Sequence, residues 1–289
     1  KNKKTFTDSE EEDYQLVEKL CYENLDYRYK NPDESIRSRL RKELDMIRQK
    51  GFLAYFLINW DLVRYARHKG YFYVGRGSGA NSIIAYLLRI TDVDPVELDL
   101  YFERFINLYR KNPPDFDIDF SWQDRDDITH YIFKKYGTEH TSLLATYSTF
   151  QYRSVIRELG KVFGLPPNEI SKLEAEPDSN MDHIGQLIFR YGKRIHDLPS
   201  HLSVHAGGIL ICEKPVYSYT ATEVPPKGFP ITQFDMLVAE DVGLYKFDIL
   251  SQRGLGKIKD SIEVIRRNNP DAPDFDIHDM ERFKKDEKI

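Results

Sequence analysis

The stretch that most limits what this chain can become runs from Asn112 to Phe120, Asn-Pro-Pro-Asp-Phe-Asp-Ile-Asp-Phe. Asp115, Asp117 and Asp119 alternate with Phe116, Ile118 and Phe120. Successive side chains of a β-strand point to opposite faces. The spacing therefore predicts a strand with three carboxylates on one face and three apolar groups on the other. Asp is a poor strand residue, and like charges on one face repel. A cation over the acidic face would account for the arrangement. Carboxylate oxygens at this spacing suit Mg²⁺, which prefers oxygen ligands and shares its shell with substrate phosphates. A solvated edge strand would show the same alternation, so the choice rests on the rest of the chain.

At 289 residues the chain can form one large domain or two smaller ones. With 40% hydrophobic and 31% charged residues it reads as a soluble globular protein. No run approaches the roughly 20 apolar residues of a membrane span, and the opening Lys-Asn-Lys-Lys carries no signal-peptide core. Cys21 and Cys212 lack metal-ligand spacing, which fits a reducing cytoplasm. A net charge of -5 means that any DNA site would be a local patch on an acidic molecule. The absence of an initial Met suits a piece of something longer.

Residues 8–34 hold ten acidic residues against three basic ones, with Leu16, Val17, Leu20 and Leu25 at helical spacing. This predicts a helix with an acidic outer face. Asp33 or Ser35 can cap a second helix through Ile36, Leu40, Leu44 and Ile47 to Gly51. A third, Phe52 to Arg67, is apolar nearly all round and hence buried. Tyr71 to Val74 reads as a short strand, followed by Gly75-Arg-Gly-Ser-Gly-Ala-Asn-Ser82 and a helix through Ile83, Ile84, Leu87 and Leu88. A strand, a glycine-rich turn and a helix start make a ready anion site, although a plain tight turn would read the same way. The sequence matches neither the Walker nor the Rossmann pattern.

After Phe120, Ser121 or Asp124 can cap a helix with Ile128, Ile132 and Phe133 inside, and Leu143 and Leu144 mark another short element. Thr149 can cap a helix that stacks Arg153, Arg157 and Lys161 on one face, ending at Gly164. That stripe is a phosphate contact or a solvated face. Strand character returns at His205-Ala-Gly-Gly208 and Ile209 to Cys212, then at Ile231 to Asp235 and Val242 to Leu250. In the last, Lys246 and Asp248 share a face opposite Tyr245, Phe247 and Ile249. It is a second strand offering a carboxylate from an apolar backing. A final helix through Ile258, Ile262, Val264 and Ile265 runs into a polar tail ending at Ile289.

Six strings in this order carry a resemblance: Gly75 to Ala80, Phe102-Glu-Arg-Phe-Ile-Asn107, Pro114 to Phe120, His205 to Gly208, Thr232-Gln-Phe-Asp235 and Lys246-Phe-Asp248. Together the chain resembles the bacterial family C replicative DNA polymerases, the α subunit of DNA polymerase III. The resemblance implies an α+β fold with a polymerase-β-like nucleotidyltransferase palm, a mixed sheet backed by helices, and an inserted, mainly helical thumb. It implies palm over 1–147 with the N-terminal helical layer, thumb over 148–200, palm again over 201–250 and the start of the fingers over 251–289. Tyr73-Val74, Asn81 and Val204 depart from the residues usual there. The polymerase and histidinol phosphatase domain that precedes such a palm, and the main fingers and clamp-binding regions that follow it, are not visible.

The resemblance further implies Asp117, Asp119 and Asp248 as catalytic metal ligands for two Mg²⁺ ions, with Mn²⁺ as a substitute. Asp115 stays a structural or spare carboxylate. Gly77, Ser78 and Lys246 fall where the family holds the incoming triphosphate. Arg153 and Arg157 would contact the DNA backbone. The implied partners are primer–template DNA, dNTP and other replicase subunits such as the sliding clamp, with no membrane. Without fingers the fragment itself would be inactive or weak. A small-molecule nucleotidyltransferase shares the Gly-Ser turn and Asp-x-Asp strand, and a non-catalytic DNA-binding or assembly fragment is the rival from another class.

Overall fold

The computed structural model describes all residues except 105, 108, 110, 111, 176–181, 227, 272, 274 and 285–289. Phe105 of the Phe102–Asn107 string and the end of the polar tail lie outside the described residues. The acidic N-terminal segment forms α1 (Glu10–Arg28), capped by Ser9, whose hydroxyl accepts from the Glu12 N–H. Its buried face is Asp13, Val17, Cys21 and Leu25 at strict i, i+4 spacing, with Leu16 and Leu20 only half-buried beside it. Asp33 rather than Ser35 caps α2 (Glu34–Gln49), which buries Leu40, Leu44 and Ile47. The apolar third helix, α3 (Leu53–Lys69), is buried on nearly every side and ends at Gly70 in the left-handed region.

The chain continues through β1 (Tyr73–Arg76), a 3₁₀ turn (Ser78–Asn81) and α4 (Ile83–Leu87). It then forms β2 (Asp117–Ser121), α5 (Arg125–Tyr136) and β3 (Thr141–Thr149). Helices α6 (Tyr152–Val162), α7 (Pro167–Ala175) and α8 (His183–Ile195) precede β4 (Pro199–Ile211). The rest holds β5 (Thr222–Glu223), β6 (Ile231–Thr232), α9 (Met236–Asp241), β7 (Phe247–Gln252), α10 (Arg253–Asn268) and α11 (Met280–Lys284). The strands form one mixed seven-stranded sheet in the order β1-β2-β7-β4-β3-β6-β5. β1 is antiparallel to β2, β2 is parallel to β7, and β7 is antiparallel to β4.

Several local expectations need correction. The acidic strand begins at Asp117, so Asp115 precedes it, because the backbone at Asp115 is tied to the glycine turn instead of a neighbouring strand. The later strand begins at Phe247 and not at Val242, which is instead the C-cap of α9, and Lys246 lies just outside it. Gln151, not Thr149, precedes α6, since Thr149 still belongs to β3. Asp124 precedes α5 but does not cap it with its side chain; both its oxygens accept from Lys259 of α10, at 2.9 and 3.0 Å. On α10 only Leu255, Gly256 and Ile262 are buried, and Val264, two residues past Ile262, turns to the far side of the helix.

Packing explains why the acidic strands stand where they do. Phe116, Ile118 and Phe120 are buried beneath the carboxylates, as are Phe247 and Ile249 of β7. α3 supplies the backing: the Tyr55 ring lies 5.7 Å from Phe116 and 4.8 Å from Phe247, and Phe56 meets Phe116 edge-on at 5.0 Å. Burying one such aromatic side chain contributes about 1.5–3 kcal/mol, enough to hold an otherwise poor strand sequence in register.

The chain divides into two compact units, one of Lys1–Leu144 with His205–Ile289 and one of Ala145–Val204. The second contains α6, α7 and α8 around Val155, Ile156, Ile170 and Ile188, with an Asp182 cap on the Gly185 N–H at 2.7 Å. Residues 251–289 belong to the first unit. Among the described residues no helix is long and apolar enough to cross a membrane.

Candidate active site

The parallel pairing of β2 with β7 sets Asp117 opposite Asp248. Side chains two apart on a strand share a face, so Asp119 and Gln252 stand on that face as well. Asp119 and Asp248 are each only 5% exposed, and Asp117 is half-buried. Three carboxylates gathered this way repel, and two cations answer them. Arg76 on β1 lies directly opposite Asp117 in the antiparallel register. Its Nη1 donates to Asp117 Oδ2 at 2.6 Å and its Nε to Asp119 Oδ2 at 2.7 Å. Lys246 Nζ forms an ion pair with Asp248 Oδ2. Gln252 Nε2 approaches Asp119 Oδ1 at 3.5 Å.

Two oxygens of the set are left, Asp117 Oδ1 and Asp248 Oδ1, and the second stands out. Asp248 Oδ1 is buried and has no hydrogen-bond partner among the described residues. An unmet carboxylate oxygen inside a protein costs about 1–3 kcal/mol or more. Asn59 Oδ1 and Thr141 Oγ1 are left the same way, and what distinguishes Asp248 Oδ1 is the company of two further carboxylates. Burial pushes the Asp117 carboxyl above its ordinary range and the neighbouring Asp248 adds to this, while Arg76 and Lys246 oppose it. Next to Asp248 on the sheet, β4 pairs Gly208 with it. The His205 Nδ1 accepts the Gly208 N–H at 2.8 Å and the Gly207 N–H at 3.2 Å. Burial lowers the His205 pKa, with Asp248 pulling the other way.

The glycine turn is built against the start of the acidic strand. Gly77 has φ +96°, and a Cβ there would sit 2.6 Å from the Asp115 carbonyl oxygen. A Cβ at Gly79 would fall 2.1 Å from the Phe116 ring. The Gly79 N–H donates to Asp115 O at 2.9 Å, and the Asp115 N–H donates to Ser78 Oγ at 3.0 Å. The turn and the carboxylate strand therefore move as one piece. The helix start expected to receive an anion is occupied by the protein's own. Glu43 Oε2 accepts from the Ile83 N–H and from Ser82 Oγ, both at 2.9 Å. Gly77 and Ser78 lie one turn upstream of that contact.

Asp117, Asp119, Asp248 and Lys246 thus converge on one face, with Gly77 and Ser78 tied to the same strand. Among the described residues, however, no set of three or more His, Cys, Asp and Glu side chains is arranged to hold a metal ion. The physical reason is visible: Arg76 and Lys246 draw the carboxylate oxygens to themselves. The donor chemistry nonetheless fits a hard divalent ion, because the face offers oxygen donors, chiefly carboxylates, and one of them, Asp248 Oδ1, is buried without a partner among the described residues. Arg153 and Arg157 are exposed on α6 in the second unit. Arg157 lies 3.7 Å from Glu158, and Arg153 has no ion-pair partner among the described residues.

Reading the sequence left Arg76 and Gln252 without a role. The signal for Arg76 was present: it alternates with Gly75 and Gly77 at the end of a strand, so its side chain must project where the glycines do not.

The family model for the bacterial DNA polymerase III alpha NTPase domain matches residues 15–251. An error-prone DNA polymerase of Symbiobacterium thermophilum is 37% identical over 267 residues, covering 85% of this chain and 25% of that protein. DNA polymerase III subunit alpha of Bacillus subtilis is 36% identical over 269 residues, 86% of this chain and 24% of the relative. The corresponding subunit of Borreliella burgdorferi is 35% identical over 289 residues, 91% and 25% respectively. The chain spans about a quarter of the length of these curated relatives. The matched model covers most of the sequence, the acidic strand and the Lys246–Asp248 couple included, and on that ground the chain belongs to the bacterial DNA polymerase III alpha family.

Proposed function

We propose that this chain is the catalytic palm of a DNA-directed DNA polymerase, of the polymerase-β-like nucleotidyltransferase type, with residues 148–200 as its inserted thumb. The reaction is transfer of a nucleotidyl group from dNTP to a primer 3′-hydroxyl, whose oxygen attacks the α-phosphate as pyrophosphate leaves. One observation carries the reading: two strands distant in sequence set Asp117 opposite Asp248, and the Asp248 Oδ1 is buried and unpartnered. The matched model is described as an NTPase domain, so the assignment to a palm rests on this geometry.

In this reading Asp117, Asp119 and Asp248 hold two divalent ions, Mg²⁺ with Mn²⁺ as substitute. When bound, these supply activation of the hydroxyl and neutralisation of charge on the phosphates. The backbone at Gly77 and Ser78, with Lys246, orients the β- and γ-phosphates. Arg153 and Arg157 bind the phosphates of the primer–template duplex. Catalysis here is positioning and electrostatics, because phosphoryl transfer asks for little else. Further replicase subunits, a sliding clamp among them, and a cytoplasmic location complete the proposal.

A second reading is favoured by the neutralised carboxylates: a non-catalytic fragment that binds DNA or holds an assembly together. Calorimetric titration of a non-hydrolysable dNTP analogue, with and without Mg²⁺, separates the two. The palm reading requires metal-dependent binding that Asp248→Asn weakens at least tenfold in a protein that stays folded. Binding that is absent, or equal in parent and variant, rejects the palm and leaves the second reading. Primer extension by the chain alone is expected to be weak.

A further inference from the structure

Arg76 bridges two carboxylates of the candidate site. It reaches across the sheet edge from β1 and takes Oδ2 of both Asp117 and Asp119, at 2.6 and 2.7 Å. Its side chain is half exposed, whereas that of Asp119 is 7% exposed. The guanidinium therefore sits over one carboxylate that is nearly buried, Asp119, and one that is partly exposed, Asp117. On the other flank Lys246 takes Asp248 Oδ2 and leaves Oδ1 buried and unpartnered on the same face.

From this geometry we infer that Arg76 is the resident counter-cation of the carboxylate pair, a positioning residue that a divalent ion must displace in order to reach Asp117 Oδ2 and Asp119 Oδ2. The inference rests on the metal-binding reading of the site and adds a competitor to it. A guanidinium and a divalent ion cannot both use Asp117 Oδ2 and Asp119 Oδ2. Without either cation the pair is repulsive; with Arg76 in place the strands keep their register and metal entry is an exchange. Because the arginine is half exposed, its head can turn into water without leaving a buried charge behind. Affinity for the ion is lowered by the free energy of breaking the two Arg76 contacts, which is a linkage between one side chain and one ligand.

The sign of the effect separates this role from a structural one. Removing a scaffold residue weakens a site, and removing a competitor tightens it. Mn²⁺ affinity of the whole chain is measured by electron paramagnetic resonance of free Mn²⁺ for the parent, Arg76→Gln, Arg76→Lys and Asp248→Asn, with circular dichroism as the folding check. Arg76→Gln is expected to bind Mn²⁺ about tenfold more tightly, the scale of one partly screened charge contact. Its metal-free melting temperature falls and the rise on adding Mn²⁺ grows. Arg76→Lys, which keeps the charge but cannot span both carboxylates, falls between. Folded variants that bind Mn²⁺ equally or more weakly than the parent overturn the inference. If Arg76→Gln does not fold, an Arg76→Lys affinity no tighter than the parent does the same. If the parent binds Mn²⁺ and Asp248→Asn does not, the metal reading survives even when the Arg76 inference fails. A parent without Mn²⁺ affinity ends both.

Discussion

Two sets of buried carboxylates in the first unit differ in how fully they are answered. In the helical layer Asp13, Glu43 and Asp61 are all fully buried. Asp13 accepts from the N–H groups of Phe6 and Thr7 and from the Thr7 hydroxyl, at 2.6–2.8 Å. Glu43 accepts from Arg39, Ser82 and the Ile83 N–H. Asp61 is met by Arg64, Lys135 and the hydroxyls of Tyr131 and Tyr136. Every oxygen in that set has a partner. On the acidic sheet face Asp117 and Asp119 depend on one shared arginine, and Asp248 keeps one oxygen unmet. Buried charge is therefore common in this molecule and is no sign of function by itself. Incomplete satisfaction is what sets the second group apart.

The comparison can be broken most forcefully by removing one member of each set. Asp61→Ala leaves two tyrosine hydroxyls and two cations without their acceptor, and should cost about 3–5 kcal/mol of stability. Asp248→Asn loses the Lys246 pair but also relieves repulsion with Asp117, so its metal-free stability should change by about 1 kcal/mol or less. Urea unfolding of the two variants checks this, and equal losses would erase the distinction.

Glu43 offers a smaller test through pH. Burial pushes its pKa up from 4.5 to about 7, against the opposing contacts of Arg39, Ser82 and Ile83. A carboxyl whose folded pKa lies above its unfolded value binds its proton more tightly when folded. Its contribution is then full below about 4.5 and is lost as pH rises through about 7. The loss is on the order of 3 kcal/mol. Glu43→Gln should flatten stability against pH over that window, whereas a variant that keeps the parent's slope would show that Glu43 stays ionised throughout.

The smallest stability effect belongs to the second unit. Arg153→Ala combined with Arg157→Ala removes two exposed cations and should change stability by less than about 0.5 kcal/mol. Binding to primer–template DNA should weaken for all sequences alike, and the salt dependence should lose about two units of slope. Unchanged affinity and slope would return this helix face to ordinary solvation, and a large loss of stability would make the arginines structural.

Local chemistry accounts for much of the secondary structure of this protein. The helical spacing of Leu16, Val17, Leu20 and Leu25, the capping residues Asp33 and Ser35 and the apolar wrap of α3 are short-range patterns, and each predicts a helix that is present. Only Val17 and Leu25 of the first set are buried, however, and Asp33 is the cap. The alternation of Phe116, Ile118 and Phe120 with aspartates likewise set apolar and acidic side chains on opposite faces, because successive side chains of a strand alternate, but it did not show that Asp119 is buried as well. What the sequence could not decide is pairing. Asp248 comes beside Asp117 only through the parallel register of β2 and β7. Arg76 becomes their counter-cation only because β1 docks antiparallel with Arg76 opposite Asp117. The same holds for Glu43, which closes the N-terminus of α4 from another helix and displaces the anion expected there. Each of these is a meeting of segments far apart in the chain. The β2–β7 pairing is accompanied by burial of the Phe116 and Phe247 rings against Tyr55 of α3, an energy that no local spacing encodes.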